Sequence, residues 1–204
     1  SFSERVGITN IGLEGMMLTG AFAGVAVSYF TGNPWLGILG AMLVGALLGL
    51  LHAVLTVKFI GNQIVSGVSI NIFAMGFTAY MSQVFWGSRG ASESVHGLRE
   101  VSIPLLKDVP ILGEILGTHT PFVYLMLVIT VLSHIVLFRT PFGLRLRAVG
   151  EHPAAADAAG IGVFRMKYLC VVSSGVLAGL GGAFLSLGHL NLFAWGMTGG
   201  RGFI

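Results

Sequence analysis

Five long apolar segments dominate the pattern of hydrophobic and polar positions along the chain. Each is about as long as a bilayer-spanning helix, which needs roughly 17–25 residues to cross about 30 Å of hydrocarbon. The predicted spans are Leu13 to Phe30, Trp35 to Val57, Ile64 to Phe85, Phe122 to Phe138 and Tyr168 to Leu187. The pattern therefore predicts an all-α, polytopic transmembrane helical bundle with at least five spans.

Small residues recur at a spacing of four within three of these spans. They are Gly20, Gly24, Ala41, Gly45, Gly49, Gly175 and Gly179. This spacing puts them on one helix face, where the lack of large side chains lets helix backbones approach closely. The pattern favours helix packing, with a mechanical hinge as the alternative.

Polar residues divide the third predicted span into two stripes. At 100° per residue, one side of the helix holds Asn71, Thr78 and Ser82. The opposite side holds Asn62, Ser66 and Ser69. Lipid cannot satisfy such groups, so they face either the bundle interior or an aqueous path. One stripe is therefore a candidate pathway lining, and the alternative is hydrogen bonding between helices.

The first span opens on the stretch "TNIGLEGMML", where Asn10 and Glu14 lie four residues apart between glycines. An acid inside a membrane is costly unless it is paired or hydrated. The glycines favour a broken or half-inserted helix of the kind that transporters use to expose polar backbone. The alternative is that Glu14 lies at the level of the lipid headgroups.

The final segment, "NLFAWGMTGGRGFI", has a similar composition. It places Asn191, Trp195 and Arg201 among glycines that make a continuous helix unfavourable. We expect a re-entrant or interrupted element here, with an interfacial anchor as the alternative role of Trp195. The apolar character of the last residues also leads us to expect that the sequence is an internal piece of a longer chain.

Basic residues concentrate in the segment from Arg139 to Lys167. They are Arg139, Arg145, Arg147, Arg165 and Lys167. Short loops rich in lysine and arginine stay in the cytoplasm, so this loop is predicted to be cytoplasmic and residues 87–121 to be outside. Because the basic residues lie beside the spans, lipid headgroups account for the net charge of +3, and no nucleic-acid partner is expected.

A polar, alanine-rich stretch, "GEHPAAADAAGI", interrupts this basic loop. Pro153 suits the first turn of a helix, the following alanines favour helix, and Gly160 suits the left-handed position after its end. The stretch therefore predicts a two-turn helix of roughly 10 Å. By itself, the pattern leaves an ordinary cytoplasmic loop as the alternative.

Composition agrees with a membrane protein and points away from several chemistries. Hydrophobic residues make up 54% of the chain, charged residues 9%, and the mean hydropathy is +0.88. The lone Cys170 lies in an apolar run and is assigned to packing. The histidines lack metal-ligand spacing, and the chain contains no G-x-x-x-x-G-K-[ST] phosphate loop.

Four stretches together resemble the permease subunits of bacterial ABC importers for nucleosides. They read "ERVGITNIGLEGMMLTGAF", "NQIVSGVSINIFAMG", "TPFGLRLRAVGEHPAAADAAGIGVFRMKY" and "MTGGRGFI". The resemblance covers nearly the whole chain in order, within a wider group that also serves simple sugars and branched-chain amino acids. It implies a fold like that of type II ABC importer permeases, with one transmembrane permease domain over residues 1–204 and a cytoplasmic coupling loop at 139–167.

In such permeases this loop carries a coupling helix that docks into the ATP-binding subunit. The resemblance assigns that role to Glu151, Ala155, Ala156, Asp157 and Gly160. The family pattern resembles "GEnPrAADtaGi", from which His152 and Ala154 depart. We expect Ala156→Arg or Asp157→Arg to uncouple ATP hydrolysis from transport or to weaken assembly, with the membrane fold largely kept.

The resemblance also implies an import cycle and its partners. These are an ABC ATP-binding subunit that binds ATP and magnesium, a second permease subunit, an extracytoplasmic substrate-binding protein and the lipid bilayer. The chain itself is then a transport subunit without a bound cofactor rather than an enzyme. Its expected location is the bacterial cytoplasmic (inner) membrane, which it crosses several times.

A nucleoside is neutral, aromatic and rich in hydrogen-bonding groups, so polar and aromatic side chains suit its path. The candidates are Asn10, Glu14, Gln63, Asn71 and Trp195. A simple sugar such as ribose would use much the same groups, and an ion-driven secondary transporter is a further alternative. An intramembrane hydrolase using Ser174 and His189 is disfavoured, because "VSSG" lacks the leading glycine of a G-x-S-G motif.

Overall fold

Helices form most of the regular structure in the computed structural model, which describes residues 2–95, 97–98, 101–102 and 118–203. In chain order they are α1 (Phe2–Arg5), α2 (Leu13–Thr31), α3 (Pro34–Ala53), α4 (Gln63–Trp86), α5 (Pro121–Arg139), α6 (Pro141–Glu151), α7 (Pro153–Ala158) and α8 (Val163–Ala183). Turns of π-helix extend α3 through Val54–Lys58 and α8 through Phe184–Leu190, and Arg201–Phe203 form a 3₁₀ turn. Strand β1 (Val101–Ser102) pairs antiparallel with β2 (Thr118–His119), with Val101 opposite His119.

Five helical stretches in the described part of the chain are long and apolar enough to cross a membrane. They are Leu13–Thr31, Pro34–Lys58, Gln63–Trp86, Pro121–Arg139 and Val163–Leu190. This confirms the predicted spans, the first four to within one residue at each end. The last helix begins five residues before its predicted start, because its first turns include Arg165 and Lys167, which hydropathy alone assigns to the loop.

Local capping explains where the spanning helices begin and end. The side chain of Asn33 accepts a hydrogen bond from the Trp35 amide (2.9 Å) at the start of α3. Asn62 accepts one from the Ile64 amide (2.9 Å) at the start of α4, so it is a helix cap. Gly32 and Gly87 end α2 and α4 with φ of 68° and 67°, which glycine adopts without steric cost.

Helices α2, α3 and α8 pack closely against one another to form the centre of the bundle. A β-carbon at Gly20 would lie 2.6 Å from the α-carbon of Gly179, and one at Gly175 would meet the carbonyl oxygen of Gly45. These distances leave no room for a side chain between the helices. The packing role predicted from the four-residue spacing is confirmed.

Helix α4 packs along a single row in which every fourth residue is buried. The row consists of Ser66, Ile70, Ala74, Thr78 and Ser82. Four residues correspond to 400° of rotation, so the row winds slowly around α4 and fits a neighbour that is inclined to it. The prediction that Ser66 lies opposite Thr78 and Ser82 is therefore wrong, because it assumed a stripe parallel to the helix axis.

Two separate apolar clusters stabilise the two ends of the bundle. One, at the end predicted to be outside, includes Phe22, Leu187 and Phe193. The other lies where α6, α7 and the start of α8 meet, and includes Val149 and Cys170. The burial of Cys170 in the second cluster agrees with its predicted packing role.

Candidate functional site

The predicted coupling loop is a folded unit made of α6 and α7. The hydroxyl of Thr140 accepts a hydrogen bond from the Gly143 amide (3.3 Å), and Pro141 occupies the first turn of α6. The apolar pattern does not indicate α6, because the buried face of this helix is narrow. The Thr-Pro pair at its start was the available signal, since threonine caps helices and proline suits the first helical position.

Helix α7 is the short helix predicted from the alanine-rich stretch. At its start, Nδ1 of His152 accepts a hydrogen bond from the Ala155 amide (3.2 Å) and Pro153 follows directly. At its end, Gly160 has a φ of 78° and its amide donates to the Asp157 carbonyl oxygen (2.8 Å). The predicted helix and the left-handed Gly160 are confirmed. His152, a departure from the family pattern, serves as the helix cap.

The predicted coupling residues divide into a buried one and an exposed set. The side chain of Ala156 is 4% exposed and packs in the same apolar cluster as Val149 and Met166. The remaining four are exposed: Glu151, Ala155, Asp157 and Gly160. Ala156 therefore attaches α7 to the bundle, and the exposed four form the surface that is open to a partner. A coupling role for these residues stays a prediction.

The burial of Ala156 changes the expected result of one substitution. An arginine at position 156 would place a charged side chain inside the apolar cluster, where a charge without a partner is strongly destabilising. We therefore expect Ala156→Arg to damage the fold of the loop itself. Asp157→Arg, at an exposed position, remains the informative test of docking.

A non-helical stretch, residues 6–12, precedes α2 and runs beside the beginning of α4. Oε1 of Gln63 accepts a hydrogen bond from the Thr9 amide (2.7 Å). Asn71 accepts one from the Gly15 amide (2.8 Å) and donates one to the Ile11 carbonyl oxygen (3.1 Å). Two predicted pathway residues therefore satisfy the backbone of this irregular stretch, as backbone within a membrane requires.

The position of Asn71 shows how deeply α2 begins. Asn71 lies eight residues after Gln63, the first residue of α4, which corresponds to about 12 Å along the helix axis. The start of α2 is therefore well inside the length of α4. This geometry favours the broken-helix interpretation of the first span over the alternative that Glu14 lies at the headgroups.

Glu14, in the first turn of α2, binds the glycine-rich segment near the other end of the chain. Its Oε1 accepts hydrogen bonds from the Thr198 hydroxyl (2.5 Å) and the Gly200 amide (2.9 Å), and Oε2 accepts one from the Gly202 amide (2.7 Å). The positive end of the α2 dipole also favours a carboxylate here. We call this meeting of Glu14, Asn71 and residues 198–202 the junction.

The segment that leads from α8 to the junction is an interrupted element, as predicted. Asn191 has a φ of 55°, and Gly196, Gly199 and Gly200 also have positive φ. The backbone pairs with residues 90–95 of the preceding loop, through bonds such as the one from the Trp195 amide to the Gly90 carbonyl oxygen (2.9 Å). The segment therefore runs back from the end of the bundle predicted to be outside to the level of Glu14.

The last two pathway candidates occupy different environments. Asn10 is 6% exposed, and its Oδ1 has no hydrogen-bond partner among the described residues. Trp195 is 49% exposed, and its indole N–H donates to the carbonyl oxygen of Met75 on α4 (3.4 Å). The structure thus brings Glu14 and Asn71 into the junction, with Gln63 beside the adjoining irregular stretch, and places Trp195 against Met75 and Gly90. Their role toward a substrate stays a prediction.

A cavity of about 250 Å³ adjoins the junction. Arg201 and Gly202 line it on one side, and Ser174 and Met17 line it from α8 and α2. From the sequence, Arg201 is only part of an interrupted segment and Ser174 only a hydrolase candidate. Their common cavity depends on chain segments that are distant in sequence, so no local pattern indicates it.

The hydrolase alternative does not fit this geometry. Ser174 and His189 lie on one continuous helical stretch, 15 residues apart, which corresponds to roughly 22 Å. The Ser174 hydroxyl instead accepts a hydrogen bond from the Ser3 amide (3.0 Å). A nucleophile and its base need to lie within hydrogen-bonding distance, so this pair cannot form a catalytic dyad.

Comparison with known proteins gives a consistent result. The family model for the "Branched-chain amino acid transport system / permease component" matches residues 1–197. The chain is 40% identical to the guanosine ABC transporter permease NupQ of Bacillus subtilis and 41% identical to the nucleoside ABC transporter permease NupC of Lactococcus lactis, over its full length and 66% of each relative. It is 39% identical to TsgC13 of Haloferax volcanii, provisionally named a glucose ABC transporter permease, over 99% of this chain and 61% of that relative.

The chain thus spans just under two thirds of the length of these relatives. No solved structure matches it. The match to the family model is nevertheless continuous and includes all five spans, the predicted coupling loop, and Glu14 and Asn71 of the junction. The chain is a multi-pass membrane protein that belongs to the family of permease components of branched-chain amino acid transport systems.

Proposed function

We propose that this chain forms part of the transmembrane path of an ATP-driven importer for nucleosides in a bacterial cytoplasmic membrane. Two relatives at 40% and 41% identity are named as guanosine and nucleoside permeases, and each aligns with the full chain. The interrupted elements at the junction support a transport path, because such breaks place polar backbone within the membrane.

Energy for import would reach the chain through α7. Its exposed residues Glu151, Ala155 and Asp157 would contact a separate ATP-binding subunit that holds ATP and magnesium. The observation that carries this proposal is the attachment of α7 to the bundle: Ala156 packs with Met166 of α8, and α8 packs on α2 and α3. A displacement of α7 by its partner would therefore reach the central helices.

A complete importer would need further partners. A second permease subunit, either another copy or a related chain, would complete the pathway. An extracytoplasmic binding protein would deliver the solute to the outer end. The exposed apolar side chains of α4, such as Ile72 (67%) and Phe73 (53%), are available for contact with a second permease or with lipid.

The nucleoside would pass beside the junction. Asn10, Glu14, Gln63 and Asn71 would offer it polar contacts, and Trp195 would offer an aromatic surface on which a base can stack. In the present arrangement most of these side chains bind the backbone of the chain itself. Contact with a solute would therefore require some of these internal hydrogen bonds to be exchanged during the cycle.

Uptake by vesicles that contain the complete transporter tests the substrate. We expect unlabelled nucleosides to compete with labelled guanosine uptake, and ribose, glucose and branched-chain amino acids to have little effect. The identity to TsgC13 makes a simple sugar the second candidate. Competition by a sugar but not by nucleosides would change the substrate and leave the family unchanged.

A second experiment tests the energy source. A transporter whose ATP-binding subunit carries a hydrolysis-blocking substitution should lose uptake, while the permease remains assembled in the membrane. An ion-driven transporter with interrupted helices would instead keep its uptake and lose it when an uncoupler collapses the proton gradient. The two energy sources therefore give opposite results in the same vesicles.

A further inference from the structure

We infer that a groove beside the coupling helix binds the headgroup of a single anionic phospholipid. The groove has a volume of about 690 Å³ and lies between α6, the first turns of α8 and the backbone of residues 159–162. It is thus formed where the predicted coupling loop meets the N-terminal end of the spanning helix α8. The inference concerns a lipid site on this chain and does not depend on which solute is transported.

Two arginines give the groove its charge. Arg145 projects from α6 and Arg165 from α8, both are exposed, and both line the groove. No acidic residue is among the lining residues that the structure describes. Guanidinium groups bind phosphate oxygens through paired hydrogen bonds, so two of them facing one groove favour a phosphate-bearing ligand.

The remaining walls of the groove are apolar. They are formed by Phe142, Ile161, Met166 and Leu169. Leu169 is 55% exposed, and the neighbouring Phe164 is 67% exposed at the start of a helix long enough to cross the membrane. In a bilayer, this flank contacts acyl chains rather than water.

Charge and apolar surface together indicate an amphiphilic ligand. The phosphate of a phospholipid would lie between the two arginines, and its acyl chains would follow the apolar flank of α8. Basic pockets between spanning helices on the cytoplasmic side recognise anionic headgroups in this way. An acidic loop of a protein partner would match the arginines but would leave Phe164 and Leu169 exposed.

A bound lipid would also affect the coupling helix. Ala159 and Gly160 at the end of α7 line the same groove, so a headgroup there would connect α6, α7 and α8. Binding to the folded loop stabilises it by mass action. We therefore expect anionic lipid to make the coupling loop more resistant to unfolding.

Native mass spectrometry of the complete transporter tests the site. The transporter is released from nanodiscs of phosphatidylglycerol or of phosphatidylcholine, and the retained lipids are counted. The test variant is Arg145→Gln/Arg165→Gln, and the control is Arg139→Gln/Lys167→Gln, which removes the same charge from the same loop outside the groove. We expect about a tenfold loss of retained phosphatidylglycerol in the test variant, because the loss of even one charged hydrogen bond weakens binding by about tenfold. The control should retain nearly as much as the parent.

Two outcomes would overturn the inference. Equal loss in both double variants would mean that the loop attracts anionic lipid only diffusely. Unchanged phosphatidylglycerol retention in the test variant would mean that the two arginines do not hold a lipid. If that variant also lost its ATP-binding subunit in phosphatidylcholine alone, a protein partner would occupy the groove. Retention of folded protein by both variants is checked by their elution as a single species.

Discussion

Glu14 shows how one residue can hold two irregular segments together inside a membrane protein. A carboxylate in the membrane is costly unless it has partners. Three donors from residues 198–202 supply them, and the positive end of the α2 dipole also favours the charge. The same bonds satisfy two backbone amides that would otherwise lack partners, so the acid and the interrupted segment stabilise each other.

Substitution of Glu14 should therefore release residues 198–202 from the start of α2. Glu14→Ala removes all three hydrogen bonds, and we expect it to lower the free energy of unfolding by at least about 2 kcal/mol, since bonds to charged groups contribute ~1.5–3 kcal/mol each. Glu14→Gln keeps one acceptor oxygen and should lose less. Thermal unfolding in detergent measures the effect, and protease sensitivity of residues 196–203 locates it.

The matched control for Glu14 is Glu151→Ala, which removes an exposed carboxylate from the predicted coupling loop. Its stability should stay within about 0.5 kcal/mol of the parent chain. If Glu14→Ala were as stable and as protease-resistant as this control, the carboxylate would not hold the segment in place.

At the scale of elements, α7 combines local and tertiary features. Its length follows from Pro153 at the start and Gly160 at the end, with His152 as the cap. Its orientation follows from the packing of Ala156 into the cluster formed with α6 and α8. A short helix that is fixed on one side and exposed on the other is suited to receive a partner.

A pair of arginine substitutions on neighbouring positions tests this arrangement. Asp157→Arg changes the exposed side of α7, so we expect normal expression and folding with loss of the ATP-binding subunit on purification or of coupled transport. Ala156→Arg buries a charge and should cost more than about 3 kcal/mol of stability, which lowers the yield of folded protein. Co-purification, ATP hydrolysis and elution profile together distinguish the two.

Each variant in this pair serves as the control for the other. Normal assembly and uptake by Asp157→Arg would remove this residue from the docking surface. A well-folded Ala156→Arg chain with intact α7 would contradict the burial of Ala156. Hydrogen exchange of the α7 amides shows directly whether the helix is retained.

At the scale of the whole molecule, the close packing of α2, α3 and α8 forms a unit on which the other elements are assembled. Backbone contacts at Gly20, Gly45, Gly175 and Gly179 bring the three helices together. Helix α5 is the most exposed of the five spans, with 6% of its most apolar stretch buried, and α3 and α4 each leave one side exposed, with 33% and 28% buried. The central helices are therefore expected to move as one body, and the outer helices to contact lipid or another subunit.

A single added methyl group tests this central unit. Gly175→Ala places a β-carbon against the carbonyl oxygen of Gly45, and we expect a loss of roughly 1–3 kcal/mol or more because two backbones must separate. Gly76→Ala on α4 is the control, since a β-carbon there has no neighbour within 4 Å among the described atoms. The control should match or slightly exceed the parent in melting temperature, because alanine favours helix over glycine.

Equal melting temperatures for the two alanine variants would contradict the close approach of α3 and α8. A lower value for Gly175→Ala alone would support it. The comparison needs only the purified chain in detergent, so it does not depend on the partners or on the solute.

Several features could be predicted from the sequence, because they depend only on neighbouring residues. Runs of apolar residues located four of the five spans to within one residue, and proline, alanine and glycine located α7. Glu14 was also singled out, since an acid next to an apolar run is unusual wherever its partner lies. These properties follow from local hydropathy and backbone preference, which need no knowledge of the rest of the chain.

The surfaces that meet could be identified only in the folded chain. The partners of Glu14 are 184 to 188 residues away, the buried row of α4 depends on how that helix crosses its neighbours, and Ala156 is hidden only because α6 and α8 lie against it. Crossing angles and helix rotation are set by the packing of all the helices together. A pattern along one segment specifies a helix and its polarity, but the faces that the helix buries are fixed by the helices it contacts.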